Sequence, residues 1–211
     1  MTTTRDRDRL VQELIEVGRD AAARGLVLAS AGNLSVRVAD DRFVVSGSGV
    51  WFDRLTPEDF VELSLDDGET GAPSASGVKP SSEWKLHHRA YRARPDVECV
   101  LHLHPRTAVV LASLGHDIRR LTLDHAYYLG PIGVTPFFHN GTEELADTAA
   151  EQLREHDCVV MQHHGCSVVA DTVEMAYRRA LNLEDAAQAT VLALQLGDTG
   201  TIFPEDGARH A

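Results

Sequence analysis

The sequence predicts a single α/β domain in which helices cover a largely antiparallel sheet. Three observations point there. Helical and strand-like hydrophobic periods are interspersed along the 211 residues. The strand connections between residues 34 and 65 are short enough for hairpins, which parallel strands cannot use. No repeat, low-complexity tract or composition break divides the chain, and its length suits one domain with a substantial core.

A first helix is expected over residues 5–24, where Leu10, Val11, Leu14, Ile15 and Ala22 form one stripe and Gly25 supplies the stop. Residues 34–38 and 43–46 read as a strand pair turning at Asp40-Asp41. Thr56-Pro57-Glu58-Asp59 reads as an N-cap with proline at the first helical position. Residues 60–65 form the next strand, ending at Asp66-Asp67-Gly68, and residues 66–80 are a polar loop of the kind that often carries function. A helix over 81–94 leads to a strand over 97–104 and then a helix over 105–114. Residues 142–155 are helical, and strands over 158–162 and 167–170 flank His163-His164-Gly165. Asp171-x-x-Glu174 resembles a capping box opening the last helix, which runs to about residue 196. The domain thus spans 1–211, with a polar tail from about 197 to 211 expected to be mobile.

Composition narrows the function. Hydrophobic residues make up 43% and charged residues 25%, as in ordinary globular chains. A formal net charge of -12 argues against a nucleic-acid or anionic-membrane partner. No apolar run reaches the roughly 18 residues of a membrane span, and the start lacks the apolar core of a signal peptide. Cys99, Cys158 and Cys166 are an odd, widely spaced set without Cys-x-x-Cys spacing, so they read as reduced thiols of a cytoplasmic protein rather than zinc thiolates.

The most informative pattern is His102-Leu103-His104, followed about sixty residues later by Gln162-His163-His164-Gly165. Strand alternation turns His102 and His104 to the same side, about 6–7 Å apart along the backbone. Two imidazoles so placed can reach one Zn²⁺ at about 2.0–2.1 Å. The pair alone is also compatible with hydrogen-bonded strand histidines; a third ligand from the second cluster makes a three-histidine site with an open, catalytic position. Glu83, in Lys79-Pro80-Ser81-Ser82-Glu83-Trp84 at the mouth of the next helix, is a candidate general acid or base beside that metal; a plain helix-dipole role is its alternative. Ser81 and Ser82 at the helix start, Gly32-Asn33, and Ser46-Gly47-Ser48-Gly49 are turns able to donate to an anion, which together point to a phosphorylated substrate.

Ala31-Gly32-Asn33-Leu34-Ser35, Ser48-Gly49-Val50, Pro80-Ser81-Ser82-Glu83-Trp84, His102-Leu103-His104 and Gln162-His163-His164-Gly165 occur in the order and spacing of the class II aldolase/adducin head family, which the chain resembles from about residue 8 to 196. The resemblance implies an α/β/α sandwich around a mainly antiparallel sheet, in a homotetramer with active sites at subunit interfaces. It implies that His102, His104 and His164 bind zinc, although Mn²⁺, Co²⁺ or Fe²⁺ suits the same imidazoles. His163 is the neighbouring non-ligand, because adjacent strand residues face opposite ways. Asn33, Ser48, Gly49, Ser81 and Ser82 would hold the substrate phosphate. Glu83 would move the carbon-3 proton while zinc acts as Lewis acid in cleaving a ketose 1-phosphate to dihydroxyacetone phosphate and an aldehyde. The family's aldolases use a tyrosine in the segment that here carries Tyr127 and Tyr128, the candidates for that role. A decarboxylase, dehydratase or epimerase of a sugar phosphate would keep the same metal and phosphate sites, but the epimerases carry Asp where Glu83 stands. A non-catalytic adducin-like scaffold would have lost the ligands that this chain retains.

Overall fold

Seven strands form one sheet in the order β3-β2-β1-β4-β7-β6-β5, where β1 is Asn33–Ala39, β2 Arg42–Ser46, β3 Phe60–Ser64, β4 Cys99–Leu103, β5 Ile132–Thr135, β6 Cys158–Met161 and β7 Gly165–Ala170. Every neighbouring pair is antiparallel except β5 and β6. The computed structural model describes residues 5–68 and 77–204; residues 69–76 of the expected polar loop and the end of the tail lie outside them.

Alternation along the strands separates two cores. Leu34, Val36, Leu101, Leu103, Cys166 and Val168 face one side, where they meet α1 (Arg7–Ala23), α3 (Arg106–Ser113) and α6 (Val173–Gln195). Val100, Val159 and Val169 face the other, against α2 (Trp84–Ala93) and α5 (Glu143–Leu153). The short α4 (Leu123–Tyr128) packs on α6. With helices on both faces, β1, β4, β6 and β7 are buried along their whole length. This is the α/β/α sandwich around a mainly antiparallel sheet that the sequence and its resemblance suggest.

Local signals account for most boundaries. Asp6 accepts from Arg9 N–H and opens α1; Thr142 accepts from Leu145 N–H and opens α5. Thr56 and Asp59 complete a capping box around a 3₁₀ turn at Pro57–Asp59. Two expected starts move. The last helix is capped by Thr172, whose hydroxyl accepts from Met175 N–H, and not by Asp171. The helix expected from 81 begins at Trp84, because Ser81 closes a turn by accepting from Glu83 N–H on its hydroxyl and from Trp84 N–H on its carbonyl. The first residues of the expected tail are tied down: Arg119 pairs with Asp198, and Phe203 N–H donates to the Arg120 carbonyl.

The start of α3 follows directly on His104, and Pro105 gives it no side-chain cap. Glu184 from α6 supplies that cap, its carboxylate accepting from Thr107 N–H and Ala108 N–H at 3.0–3.1 Å. Glu184→Ala should therefore leave two largely buried donors unpaired and lower the unfolding free energy by about 1–3 kcal/mol, as measured by chemical denaturation.

Candidate metal centre and cleft

β4 pairs with β1 and β7 so that Asn33, His102 and Ser167 lie in one row across the sheet. His102 is fully buried on β4, His104 stands just past its end, and His164 sits in the turn from β6 to β7. One nitrogen from each of the three rings lies within 4.8 Å of the others, and His102 Nε2 is 3.0 Å from His104 Nε2. His102 Nδ1–H donates to the Cys166 carbonyl at 3.0 Å, which turns Nε2 toward the other rings. Close approach requires Gly165: a Cβ there would meet Leu103 O at 2.6 Å, the His104 ring at 2.7 Å and the His102 ring at 2.9 Å.

Strand alternation does not explain why His163 stands apart, as the sequence had suggested. Residues 162–164 are a turn, not a strand, and His163 takes a positive φ of 60°. It is this reversal that separates His163 from the histidine trio. The turn is anchored to α3 by His163 N–H on Ser113 Oγ at 2.7 Å and by Gln162 Nε2 on the Ala112 carbonyl at 2.8 Å.

Glu83 lies beside the trio. Its Oε2 is 3.3 Å from His102 Nε2 and accepts from Asn33 Nδ2 at 3.1 Å; its Oε1 is 3.1 Å from His164 Nε2. That last approach is off hydrogen-bonding geometry, so Oε1 is buried without a hydrogen-bond partner. Burial pushes the Glu83 carboxyl up, but the close approach of the His102 and His164 rings outweighs it and holds the group well below the usual carboxylate range. Burial, reinforced by the His102 and His164 neighbours, lowers His104 to about 3 and so keeps its ring neutral.

The donor set fits a divalent metal. Two ring nitrogens 3.0 Å apart beside a buried carboxylate call for a proton or a cation between them. Nitrogens about 2.0–2.1 Å from a tetrahedral ion would stand roughly 3.3 Å apart. The three cysteines are not candidates. All are buried in the core on the α6 side, and burial pushes their thiols up, that of Cys158 to about 12.

A cleft of about 350 Å³ opens beside the histidines. Asn33, Ser48, Gly49, Ser81, Ser82, Glu83, His104 and His164 all line it, while His102 lies beneath its floor. The backbone donors are fewer than the sequence suggests. Ser48 N–H goes to the Lys79 carbonyl, and Ser81 N–H to the Ser46 carbonyl, as Gly47 and Pro80 form a bridge. Gly32, at φ +79°, lets the chain pass over β4, since a Cβ there would meet the His102 carbonyl at 2.6 Å. Another wall, from Phe137 to Asn140, carries no motif that sequence reasoning could single out. Tyr127 and Tyr128 are not among the lining residues. They lie on α4, where Tyr127 is exposed and Tyr128 OH accepts from Arg178 at 3.1 Å.

The match that decides the family covers most of the chain: the model of the class II aldolase and adducin N-terminal domain fits residues 12–191. The chain belongs to this family. It is an enzyme of the class II aldolase kind, and metal dependence is a property of that class. The chain is similar, at 34% identity over 194 residues, to the 5-methylthioribulose-1-phosphate/5-deoxyribulose-1-phosphate aldolase of Rhodospirillum rubrum, covering 92% of this chain and 85% of the relative. It is 30% identical over 196 residues to the 5-deoxy-D-ribulose 1-phosphate aldolase of Bacillus thuringiensis, covering 92% and 90%. The L-fuculose-1-phosphate aldolase structure from Thermus thermophilus matches with a TM-score of 0.79 at 33% identity, covering 93% of this chain and all of that one.

This class II aldolase also buries His87 completely, and burial lowers that ring from 6.5 to about 3. Between those values the unfolded chain binds a proton that the folded one refuses, so stability falls as pH drops from 6.5 toward 3. The expected contribution is on the order of 4–5 kcal/mol at the acid limit. A Tm series on metal-free protein checks it: the decline through this window should be shallower in His87→Gln.

Proposed function

We propose that this aldolase is a zinc enzyme that cleaves a ketose 1-phosphate, L-fuculose 1-phosphate or its 5-deoxypentulose counterpart, to dihydroxyacetone phosphate and a short aldehyde. The observation that carries the reading is the Glu83 carboxylate, which stands 3.1–3.3 Å from nitrogens of two of the three clustered histidines. His102, His104 and His164 would hold the ion. When bound, zinc supplies Lewis-acid polarisation of the ketose carbonyl and positive charge beside the developing enediolate.

The remaining work falls to the chain. Ser48, Gly49, Ser81 and Ser82 would hold the phosphate, joined by the Asn33 N–H that Glu83 leaves unused. Ionised Glu83 would take the carbon-3 proton of dihydroxyacetone phosphate in the synthetic direction. In cleavage, run in reverse, Glu83 would first take up a proton from solvent and give it to carbon 3 after the bond to carbon 4 breaks. The carbon-4 hydroxyl proton would leave to the group that serves the aldehyde oxygen. Phe137 and Phe138 offer an apolar wall to the sugar's far end. L-fuculose 1-phosphate and the 5-deoxyribulose 1-phosphate named for two relatives both end in a methyl carbon, which supports that placement.

A homotetramer with sites at subunit interfaces would cover the exposed Leu28, Trp51 and Tyr127, and would give Tyr127 or Tyr128 a route to a neighbour's cleft as proton donor to the aldehyde oxygen. A cytoplasmic setting suits three free cysteines and a chain in which no helix of the described residues is long and apolar enough to cross a membrane.

The test is release of dihydroxyacetone phosphate from L-fuculose 1-phosphate and 5-deoxy-D-ribulose 1-phosphate by zinc-loaded protein. Release that stops with chelator and returns with zinc supports the reading, and the ratio of kcat/KM values ranks the sugars. No release from either by metal-replete protein rejects it and favours a decarboxylase or dehydratase on the same scaffold.

A further inference from the structure

Behind Glu83 runs a row of buried polar side chains of which the chemistry above uses only Asn33. Asn33 Nδ2 donates to Glu83 Oε2 at 3.1 Å, Asn33 Oδ1 contacts His87 Nε2, His87 Nδ1 is 2.6 Å from Ser35 Oγ, and Ser35 Oγ is 2.7 Å from Tyr91 OH. Asn33, Ser35, Glu83, His87 and Tyr91 are each at most 7% exposed. They come from two elements that meet only through the fold. Asn33 and Ser35 alternate onto the α2 face of β1, while His87 and Tyr91 are one turn apart on α2.

The carboxylate fixes every proton in the row. An ionised Glu83 only accepts, so the Asn33 amide must turn its NH₂ toward it and its oxygen toward His87. His87 must then carry its hydrogen on Nε2 and accept on Nδ1. Ser35 must donate to that nitrogen, which leaves its oxygen to accept from Tyr91 OH. A single unpaired end would leave a buried polar group unsatisfied, so the row favours one arrangement over its reverse. It is not a proton wire, because an amide cannot pass a proton without becoming an imidic acid. Its effect is orientation.

We infer that His87 is a positioning residue: by donating to Asn33 Oδ1 it holds the Asn33 amide toward Glu83 and aims the carboxylate at the reacting carbon. This rests on the proposed role of Glu83 as proton carrier. Asn33 is thereby shared between the carboxylate and the cleft, with one N–H for each.

The experiment measures exchange of the carbon-3 proton of dihydroxyacetone phosphate into deuterated solvent, without aldehyde, on zinc-loaded enzyme. A glutamine amide reaches the position of the histidine Nε2, whereas an asparagine amide stops at Nδ1. His87→Asn should slow exchange by about 10–100-fold with zinc content nearly unchanged, and His87→Gln should stay within about threefold of wild type. Ser35→Ala, a smaller lesion that frees the His87 tautomer, should slow exchange by about three- to tenfold. Wild-type exchange in both His87→Asn and Ser35→Ala, or equal losses in His87→Asn and His87→Gln, would overturn the assignment. Absence of exchange in the wild type would instead remove the proton-transfer reading itself, and this inference with it.

Discussion

Glu83→Gln is expected to fold, to keep one metal per chain and to lose about 10²–10⁴-fold in kcat. The amide is nearly isosteric with the carboxylate and can still meet Asn33 through its oxygen, so the cleft and the histidines keep their positions. It cannot accept the carbon-3 proton. The loss should appear in kcat and kcat/KM together, because the missing interaction belongs to the transition state and not to substrate binding. Isotope exchange into dihydroxyacetone phosphate should fall in parallel, while KM moves little. A variant with normal exchange would take Glu83 out of the proton transfer and leave it as a structural neighbour of the histidines.

His104→Ala should have a comparably large effect by a different route. His104 lines the cleft, whereas His102 lies fully buried beneath it, so its loss spares the core while removing one of three nitrogen donors. Zinc bound after dialysis should fall from one per chain toward none, and activity should fall with it by about 10³-fold or more. Zinc should raise the Tm of the wild type, since a ligand held only by the folded state stabilises it by mass action. That rise should be absent in His104→Ala. A variant that still bound zinc tightly would place the ion elsewhere.

Much of this site is legible in the sequence, for reasons that differ residue by residue. His102 and His104 can be paired because a strand has a two-residue period, whereas the row from Asn33 to Ser167 appears only with the register of the neighbouring strands. Asn33, Ser48, Gly49, Ser81 and Ser82 are recognisable as family motifs and do line one cleft. What stays hidden depends on contacts between distant segments. Strand β5 is four residues long and contains Gly133, and the partner that makes it a strand is β6, some twenty-five residues on. Helix α4 is only six residues long, too short to show a helical period. The Phe137–Asn140 wall follows that strand and is hidden with it. His87 looks like one more helix residue; only the approach of α2 to β1 reveals its place between Ser35 and Asn33. The turn at His163 likewise shows its left-handed backbone only in three dimensions.

Anomalous diffraction at the zinc edge from crystals of the zinc-loaded enzyme tests the central claim most directly. The expected result is one peak per chain, about 2.0–2.1 Å from a nitrogen of each of His102, His104 and His164, with the Glu83 carboxylate beside it and no cysteine ligand. A peak elsewhere, or an ion closed by a fourth histidine or a cysteine, would contradict a catalytic metal centre at these three histidines.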